Sequence, residues 1–298
     1  MTIHLAHKTL SAIDAAIAAD QGAAFRGWLE KTMPMTKDAY STDSDGRRSH
    51  LGASVIGGKC AREIWYKYRW AKMPKFEGRM LRLFNRGHLE EGRMIAMILA
   101  IGCQVYQHDA NGKQYRISHA NGHFGGSGDG LVVGLPDLPP NTVALLEFKT
   151  HNNKSFEKLV EDGVKVAKSE HYVQIQIYLE KMGLDYCLYL AVNKDDDRLH
   201  GEIVFKDSAT ANIFLDRGEK IIASTAPPKK INESVGFWEC KYCDQKSICH
   251  LNEEPAISCR TCQYATPIEN AQWYCRAHSV PLNTEQQKQA CQGYVRLF

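Results

Sequence analysis

Residues 124–149 read FGGSGDGLVVGLPDLPPNTVALLEFK, and the two halves of that stretch decide the fold. In the first half, Asp129 sits in a glycine-flanked, strand-like run. Eighteen residues later an apolar strand carries Glu147 and Lys149 with one residue between them. Side chains at i and i+2 of a strand point to the same face. A carboxylate and an ammonium are therefore side by side on a strand that Val143, Leu145 and Leu146 mark as core. Burying charge is costly unless it is paired or bound to a metal. A structural Glu–Lys pair at a strand end is one reading and a metal-binding site is the other. The rest of the chain bears on the choice.

The chain has 298 residues, more than one average domain needs. Its 44% apolar and 24% charged content is that of a soluble globular protein. The net charge of +3 is unevenly spread: Lys59 to Arg93 holds ten Lys/Arg against four Glu, or +6, which leaves −3 elsewhere. That basic segment carries Trp65, Tyr66, Tyr68, Trp70, Phe76 and Phe84, a mixture suited to a polyanion, although such runs also form plain solvated helix surface. The start, MTIHLAHKTL, lacks the apolar core of a secretory signal, and the apolar run at Met94–Ile101 is too short to span a bilayer. A cytoplasmic location (host cytoplasm for a phage-encoded chain) and no membrane partner are expected. In a reducing compartment, ten cysteines read as metal ligands rather than disulfides.

Periodicity predicts helices over 8–32, 53–70 and 78–101, with a polar loop over 37–50 between the first two. Strands are expected at 103–107, 114–118, 123–133 and 143–149. Helices at 153–168 and 170–182 follow, then strands at 186–192 and 201–205 and a helix near 207–223. This order predicts an α/β fold with a mixed central sheet flanked by helices. PPKK at 227–230 marks a hinge, beyond which the chain is rich in cysteine. The third helix has a face of Leu81, Phe84, His88, Glu91, Ile95 and Leu99. His88 on such a face could be an ordinary core histidine. It could also join Asp129 and Glu147 in a ligand set suited to Mg²⁺ or Mn²⁺, the nitrogen leaning toward manganese. A metal held there would activate water, with Lys149 to orient it or to neutralise charge on a phosphate. Gln174 and Tyr178 share one face of a later helix. Arg79, Arg82, Arg86 and Arg93 fall on the side of the third helix opposite His88.

Taken together, His88 in RGHLEEGR, Asp129 in GDGL, Glu147 and Lys149 in EFKT, and Gln174-xxx-Tyr178 resemble the RecB-like branch of the PD-(D/E)XK nuclease superfamily. The order and rough spacing agree over about residues 50–250. Gly128 replaces the usual proline before the aspartate. The resemblance implies a restriction-endonuclease-like core in which His88, Asp129 and Glu147 ligate the metal, with the Phe148 carbonyl as a further ligand. It also implies that Lys149 is the catalytic lysine and that Gln174 and Tyr178 position substrate.

Cys240-x2-Cys243-x5-Cys249 places three thiolates within ten residues. The fourth ligand could be Cys259, giving a local zinc site, or the distant Cys60. The second choice would close a loop of about 180 residues. One Cys before the core and C-x2-C-x5-C after it resembles the RecB-like nucleases of CRISPR adaptation and of AddB-type helicase–nucleases, which implies a 4Fe-4S cluster on Cys60, Cys240, Cys243 and Cys249. Zinc on the triad with Cys60 a buried thiol is the alternative. Cys259-x2-Cys262-x12-Cys275-x15-Cys291 has the look of a Cys₄ zinc module, with His278 able to replace Cys275 or Cys291. Its Tyr264, Trp273, Tyr274 and Tyr294 would pack around the metal or stack on bases. Cys103 and Cys187 read as inert core thiols.

The expected organisation is a helical segment and loop over 1–50 and a nuclease core over 51–225. A clamp segment over 226–250 and a zinc-type module over 251–298 follow. The expected activity is Mg²⁺- or Mn²⁺-dependent deoxyribonuclease, an exonuclease on DNA ends or single strands in recombination, repair or end processing. A helicase or a single-strand annealing protein is a candidate partner. An endonuclease, or a non-catalytic nucleic-acid-binding adaptor on the same scaffold, is the alternative.

Overall fold

A computed structural model describes residues 2–35, 47–73 and 75–298, so most of the loop read over 37–50 lies outside the described residues. The first helices are α1 (His7–Ala19), α2 (Ala23–Thr32), α3 (Ala53–Ile56), α4 (Ala61–Tyr68) and α5 (Gly78–Ala100). They are followed by α6 (Asn153–Ala167), α7 (Ser169–Met182), α8 (Ser208–Ala223), α9 (Trp238–Lys241), α10 (Lys246–Leu251) and α11 (Thr284–Lys288). The strands begin with β1 (Leu51–Gly52), β2 (Gln104–Tyr106), β3 (Arg116–His119), β4 (Phe124–Ser127), β5 (Gly130–Val133) and β6 (Val143–His151). They continue with β7 (Tyr186–Asn193), β8 (Leu199–Phe205), β9 (Ala265–Pro267), β10 (Trp273–Cys275) and β11 (Val280–Leu282).

Three expected elements are broken, each for a local reason. The helix read over 8–32 divides because Asp20 accepts the Ala23 and Ala24 N–H groups at 2.9 and 2.8 Å and Gly22 turns the chain at φ +79°. The helix read over 53–70 stops at Gly57–Gly58 and restarts behind Cys60, whose thiol caps α4 by accepting the Glu63 N–H at 3.5 Å. The strand read over 123–133 becomes β4 and β5, which belong to different sheets.

By packing, the described residues form two compact units. The first holds 2–35, 76–117 and 127–211, around a five-stranded sheet in the order β2-β5-β6-β7-β8. Only β6 and β7 are parallel; the other neighbours run antiparallel, which makes the mixed sheet the sequence predicts. Alternation along the strands gives this sheet two unlike faces. Leu146, Phe148, Leu188, Leu190, Val192 and Ile203 join Met94, Ile95 and Ile98 of α5 in one apolar core. Glu147, Lys149, His151, Tyr189 and Glu202 point the other way, where α6 and α7 lie.

The second unit holds 47–73, 75, 118–126 and 212–298, with a sheet β1-β4-β3 and an antiparallel meander β9-β10-β11. The aromatic run 65–70, read as suited to a polyanion, is core here: Trp65, Tyr66, Tyr68 and Trp70 are buried, the first two against Phe298. Arg260 is buried with its guanidinium 3.8 Å over the Trp70 ring. It donates to the Tyr68 and Ser49 carbonyls at 3.0 and 2.8 Å and twice to Gln287 Oε1. Carbonyl dipoles and ring faces, rather than a carboxylate, thus carry this charge. No helix among the described residues is long and apolar enough to cross a membrane.

Candidate active site

The site forms where β5 and β6 part company. Their ladder runs from Val133↔Val143 to Gly130↔Leu146 and then ends. The next β6 amide on that side, Phe148 N–H, is taken by the Asp129 carboxylate at 2.7 Å. In a strand a residue's C=O points to the same side as its N–H, so the Phe148 carbonyl also faces the gap, where it accepts Lys149 Nζ at 3.1 Å. Gly130, at φ +150°, lets the chain turn away here: a Cβ would sit 3.0 Å from the Tyr106 carbonyl.

Glu147 is fully buried and pairs with the Lys149 ammonium. Burial, with the nearby Glu147 carboxylate adding to it, pushes the Asp129 carboxyl well above its ordinary range. Burial works against the charged form of Lys149, but Glu147 and Asp129 more than offset it and hold the amine up at about 12. Two acidic side chains and one ammonium therefore meet here, the Glu147–Lys149 pair as the i+2 spacing predicts.

The expected Gln174 and Tyr178 both reach this region from α7. Gln174 Nε2 donates to the second oxygen of Glu147 at 3.3 Å, and the Tyr178 hydroxyl donates to the Ser127 carbonyl at 3.0 Å. His88 lies on α5, half-exposed, with Nδ1 3.5 Å from Glu91. It is Glu91 whose charge acts on both Asp129 and Lys149. In the sequence Glu91 shares one helix face with His88, and that shared face is the signal that points to it. The apolar face assigned to α5 is also only half right: Ile95 and Leu99 pack on the sheet, while Leu81 and Phe84 are exposed. The arginines of the same helix are spread, with Arg86 donating to the Lys194 carbonyl at 2.9 Å and Arg93 pairing with Glu90 at 3.0 Å.

Beyond Lys149 the polar face continues. His151 Nε2 and His171 Nδ1 each lie 3.0 Å from the Tyr189 hydroxyl, and the two rings stack 5.9 Å apart. Burial first, then surrounding ammonium groups, hold both rings neutral, His151 down at about 4 and His171 at about 3. The i+2 rule applied once more along β6, and i+3 back from Gln174 on α7, would have found them.

Cys60, Cys240, Cys243 and Cys249 line one cavity of about 20 Å³ in the second unit, with Arg62 and Tyr66 beside them. Burial, with Glu63 adding to it, pushes the Cys243 thiol up to about 12. Cys259, Cys262, Cys275, Cys291 and His278 line another, wider cavity of about 390 Å³. There Cys259 rises to about 11 through burial and its three cysteine neighbours, and His278 Nε2 is 3.4 Å from Cys291 Sγ. Trp273 is fully buried, packed at 5.4 Å against Tyr68. Cys103 and Cys187 are buried in the first unit. As the side chains stand, no three His, Cys, Asp or Glu groups among the described residues close on one point so as to hold a metal ion.

No protein-family model matches the chain, and no curated protein matches it. Solved structures do. LHK-Exo in complex with dAMP is 18% identical, with a TM-score of 0.43 over 66% of this chain and 91% of that one. The alkaline exonuclease LHK-Exo from Laribacter hongkongensis gives 20% and 0.43 over 65% and 91%. SSO0001 gives 16% and 0.40 over 77% and 97%. At these values the likeness carries no argument of its own.

Proposed function

We propose that the protein is a divalent-metal-dependent deoxyribonuclease that hydrolyses phosphodiester bonds with an activated water, cutting from DNA ends or single strands. The supporting observation is the meeting of Asp129, Glu147, Lys149 and the Phe148 peptide at the point where β5 and β6 separate. The donors fit a hard cation in kind: two carboxylates, a carbonyl outside the sheet ladder, and Glu91 or His88 from α5. They do not yet fit in position, because Lys149 lies on the Glu147 oxygen and no three donors converge. A metal bound there would acidify its water and polarise a phosphoryl oxygen.

The chain's own groups divide the remaining work. Lys149, held charged, neutralises charge that builds on the phosphate. Gln174 fixes the orientation of Glu147, and Tyr178 ties α7 to the backbone before Asp129. A role in recombination, repair or end processing, with a helicase or annealing protein, belongs to the same proposal. End-labelled single- and double-stranded DNA with Mg²⁺ or Mn²⁺ tests it. Wild type should degrade the label, and Glu147→Ala should lose about 10³-fold or more in rate. Wild-type inertness with both metals, or an undiminished Glu147→Ala, would overturn the reading.

For the thiols, an iron–sulfur cluster on Cys60, Cys240, Cys243 and Cys249 and zinc on Cys259, Cys262, Cys275 and Cys291 form part of the proposal, since four thiolates suit both. Zinc on Cys240, Cys243 and Cys249 is the second reading at the first set, because thiolates in this number suit that ion as well. Anaerobically purified protein should be brown and lose colour in Cys243→Ser if the cluster is right. Colourless protein with zinc alone selects the second reading.

A further inference from the structure

The basic, aromatic segment read over Lys59–Arg93 divides in two. The aromatics of its first half are interior to the second unit, whereas Phe76, Leu81 and Phe84 in its second half are 47%, 53% and 41% exposed. A helix ordinarily turns its apolar stripe to a core. Ile95 and Leu99 do so further along α5, while the opening turns leave the same stripe bare. The Phe76 and Phe84 rings meet edge to face at 5.0 Å, so each ring braces the other.

Two observations set this bare stripe beside the catalytic pair. At 100° per residue Leu81, Phe84, His88 and Glu91 share one side of α5, and the Glu91 charge acts on both Asp129 and Lys149. Phe84 is one helical turn, about 6 Å along the axis, from His88. From the other side of the helix, Arg86 donates to the Lys194 carbonyl at 2.9 Å. The Lys194 N–H in turn donates to the His151 carbonyl at 2.9 Å, two residues beyond Lys149 on β6. These bonds hold this part of α5 to the end of β6 that carries the lysine. Solvent reaches the site along the same line: side-chain exposure is 1% for Glu147, 25% for Lys149, 33% for Glu91 and 43% for His88. The open side of the site leads onto Phe84 and Leu81.

Charge selects what covers the stripe. From Gly78 to Gly87 the helix holds Arg79, Arg82 and Arg86 and no acid. Among the described residues no carboxylate pairs with these three; Arg79 and Arg86 meet a thioether and a carbonyl. The arginines lie across a helix about 10–12 Å wide, roughly a Debye length at 0.1 M salt, so they draw a polyanion to the helix from behind the rings. Apolar ring faces within a field that favours phosphate match single-stranded nucleic acid. A second copy of the chain would bring the same three cations and be repelled.

We propose that Phe84, braced by Phe76, stacks on a base of the single strand whose phosphate lies at Glu147 and Lys149, so that the exposed turns of α5 form the platform on which the strand approaches the cut. This rests on the nuclease reading above. Stacking holds substrate and transition state alike, so Phe84 serves affinity and placement of the strand rather than the chemical step.

The test uses the full chain. A labelled single-stranded oligodeoxynucleotide is bound in EDTA at several salt concentrations and cleaved with Mg²⁺. Phe84→Ala should raise Kd and KM about 5- to 10-fold, leave kcat within about twofold, and keep the log–log salt slope, since a ring releases no counterions. Phe84→Trp should bind at least as tightly as wild type. Ile213→Ala, which trims a 64% exposed residue of α8, should change nothing. An abasic residue moved along the strand should cost wild type a similar factor at one position and cost Phe84→Ala nothing further there. The wild-type half of that scan reads the contact even if the variant misfolds. Unchanged Kd and KM in Phe84→Ala, a fall in kcat alone, or a wild type indifferent to base removal at every position overturns the platform and leaves the nuclease reading intact. So does a wild-type dimer in sedimentation that Phe84→Ala dissociates with strand binding unaltered, which gives the stripe to a second copy. Wild type that neither binds nor cuts DNA ends both readings.

Discussion

The two faces of the five-stranded sheet are made from the same strands, residue by residue in alternation, and they do opposite things. One face is aliphatic and packs on α5: Leu146, Phe148, Leu188, Leu190 and Val192 are buried there with no polar group to satisfy. The other buries Glu147, His151, Tyr189 and Glu202 under α6 and α7, and almost every one of those groups has a named partner. The first face holds the sheet together through removal of apolar area from water. The second contributes little net stability, because pairing there mainly offsets desolvation.

If that contrast holds, three measurements should grade it. The largest stability effect belongs to the aliphatic face: Leu190→Ala should cost about 2–5 kcal/mol in denaturant unfolding, with the rate per folded molecule kept. Equal loss of rate and stability would show that the faces are not separable. Next comes pH. Neutral-buried His151 and His171 have folded pKa values of about 4 and about 3, below the ordinary 6.5. The unfolded chain therefore binds more protons in that window. Stability from these rings is complete above about 6.5 and is lost as pH falls toward 4. Asp129, raised by burial, acts in the opposite sense, its contribution being lost as pH rises through its folded value. Comparing wild type with His151→Gln isolates the ring: thermal midpoints from pH 7 to 4.5 should fall less steeply in the variant. The smallest effect is expected at the start of β6, where Val143 is 40% exposed; Val143→Ala should stay within about 0.5 kcal/mol.

Much of the first unit was legible. The ExK spacing, the α5 helix and the sequence of strands after it all follow from periods of 2 and 3.6, which need no knowledge of partners. What stayed hidden depended on context. The break at Asp20–Gly22 rests on a capping carboxylate inside an alanine-rich run that periodicity alone reads through. The split between β4 and β5 depends on glycines that are equally compatible with one long strand. Trp65 and Trp70 look like a nucleic-acid surface beside so many lysines and arginines, yet they are interior, because Arg69 and Arg260 are interior with them. A buried arginine satisfied by carbonyls leaves no pattern in the sequence. Periodicity does not separate Glu91 from His88, because both sit on the same helix face and either side chain can ligate a metal.

The phenol of Tyr189 has one hydrogen to give, yet imidazoles approach it from both sides. One ring must receive that hydrogen while the other supplies its own, so both rings carry their hydrogen on Nδ1 in one setting and on Nε2 in the other. A change of tautomer on His151 then obliges His171 to change as well, and the two histidines behave as a single unit with two settings rather than as independent bases.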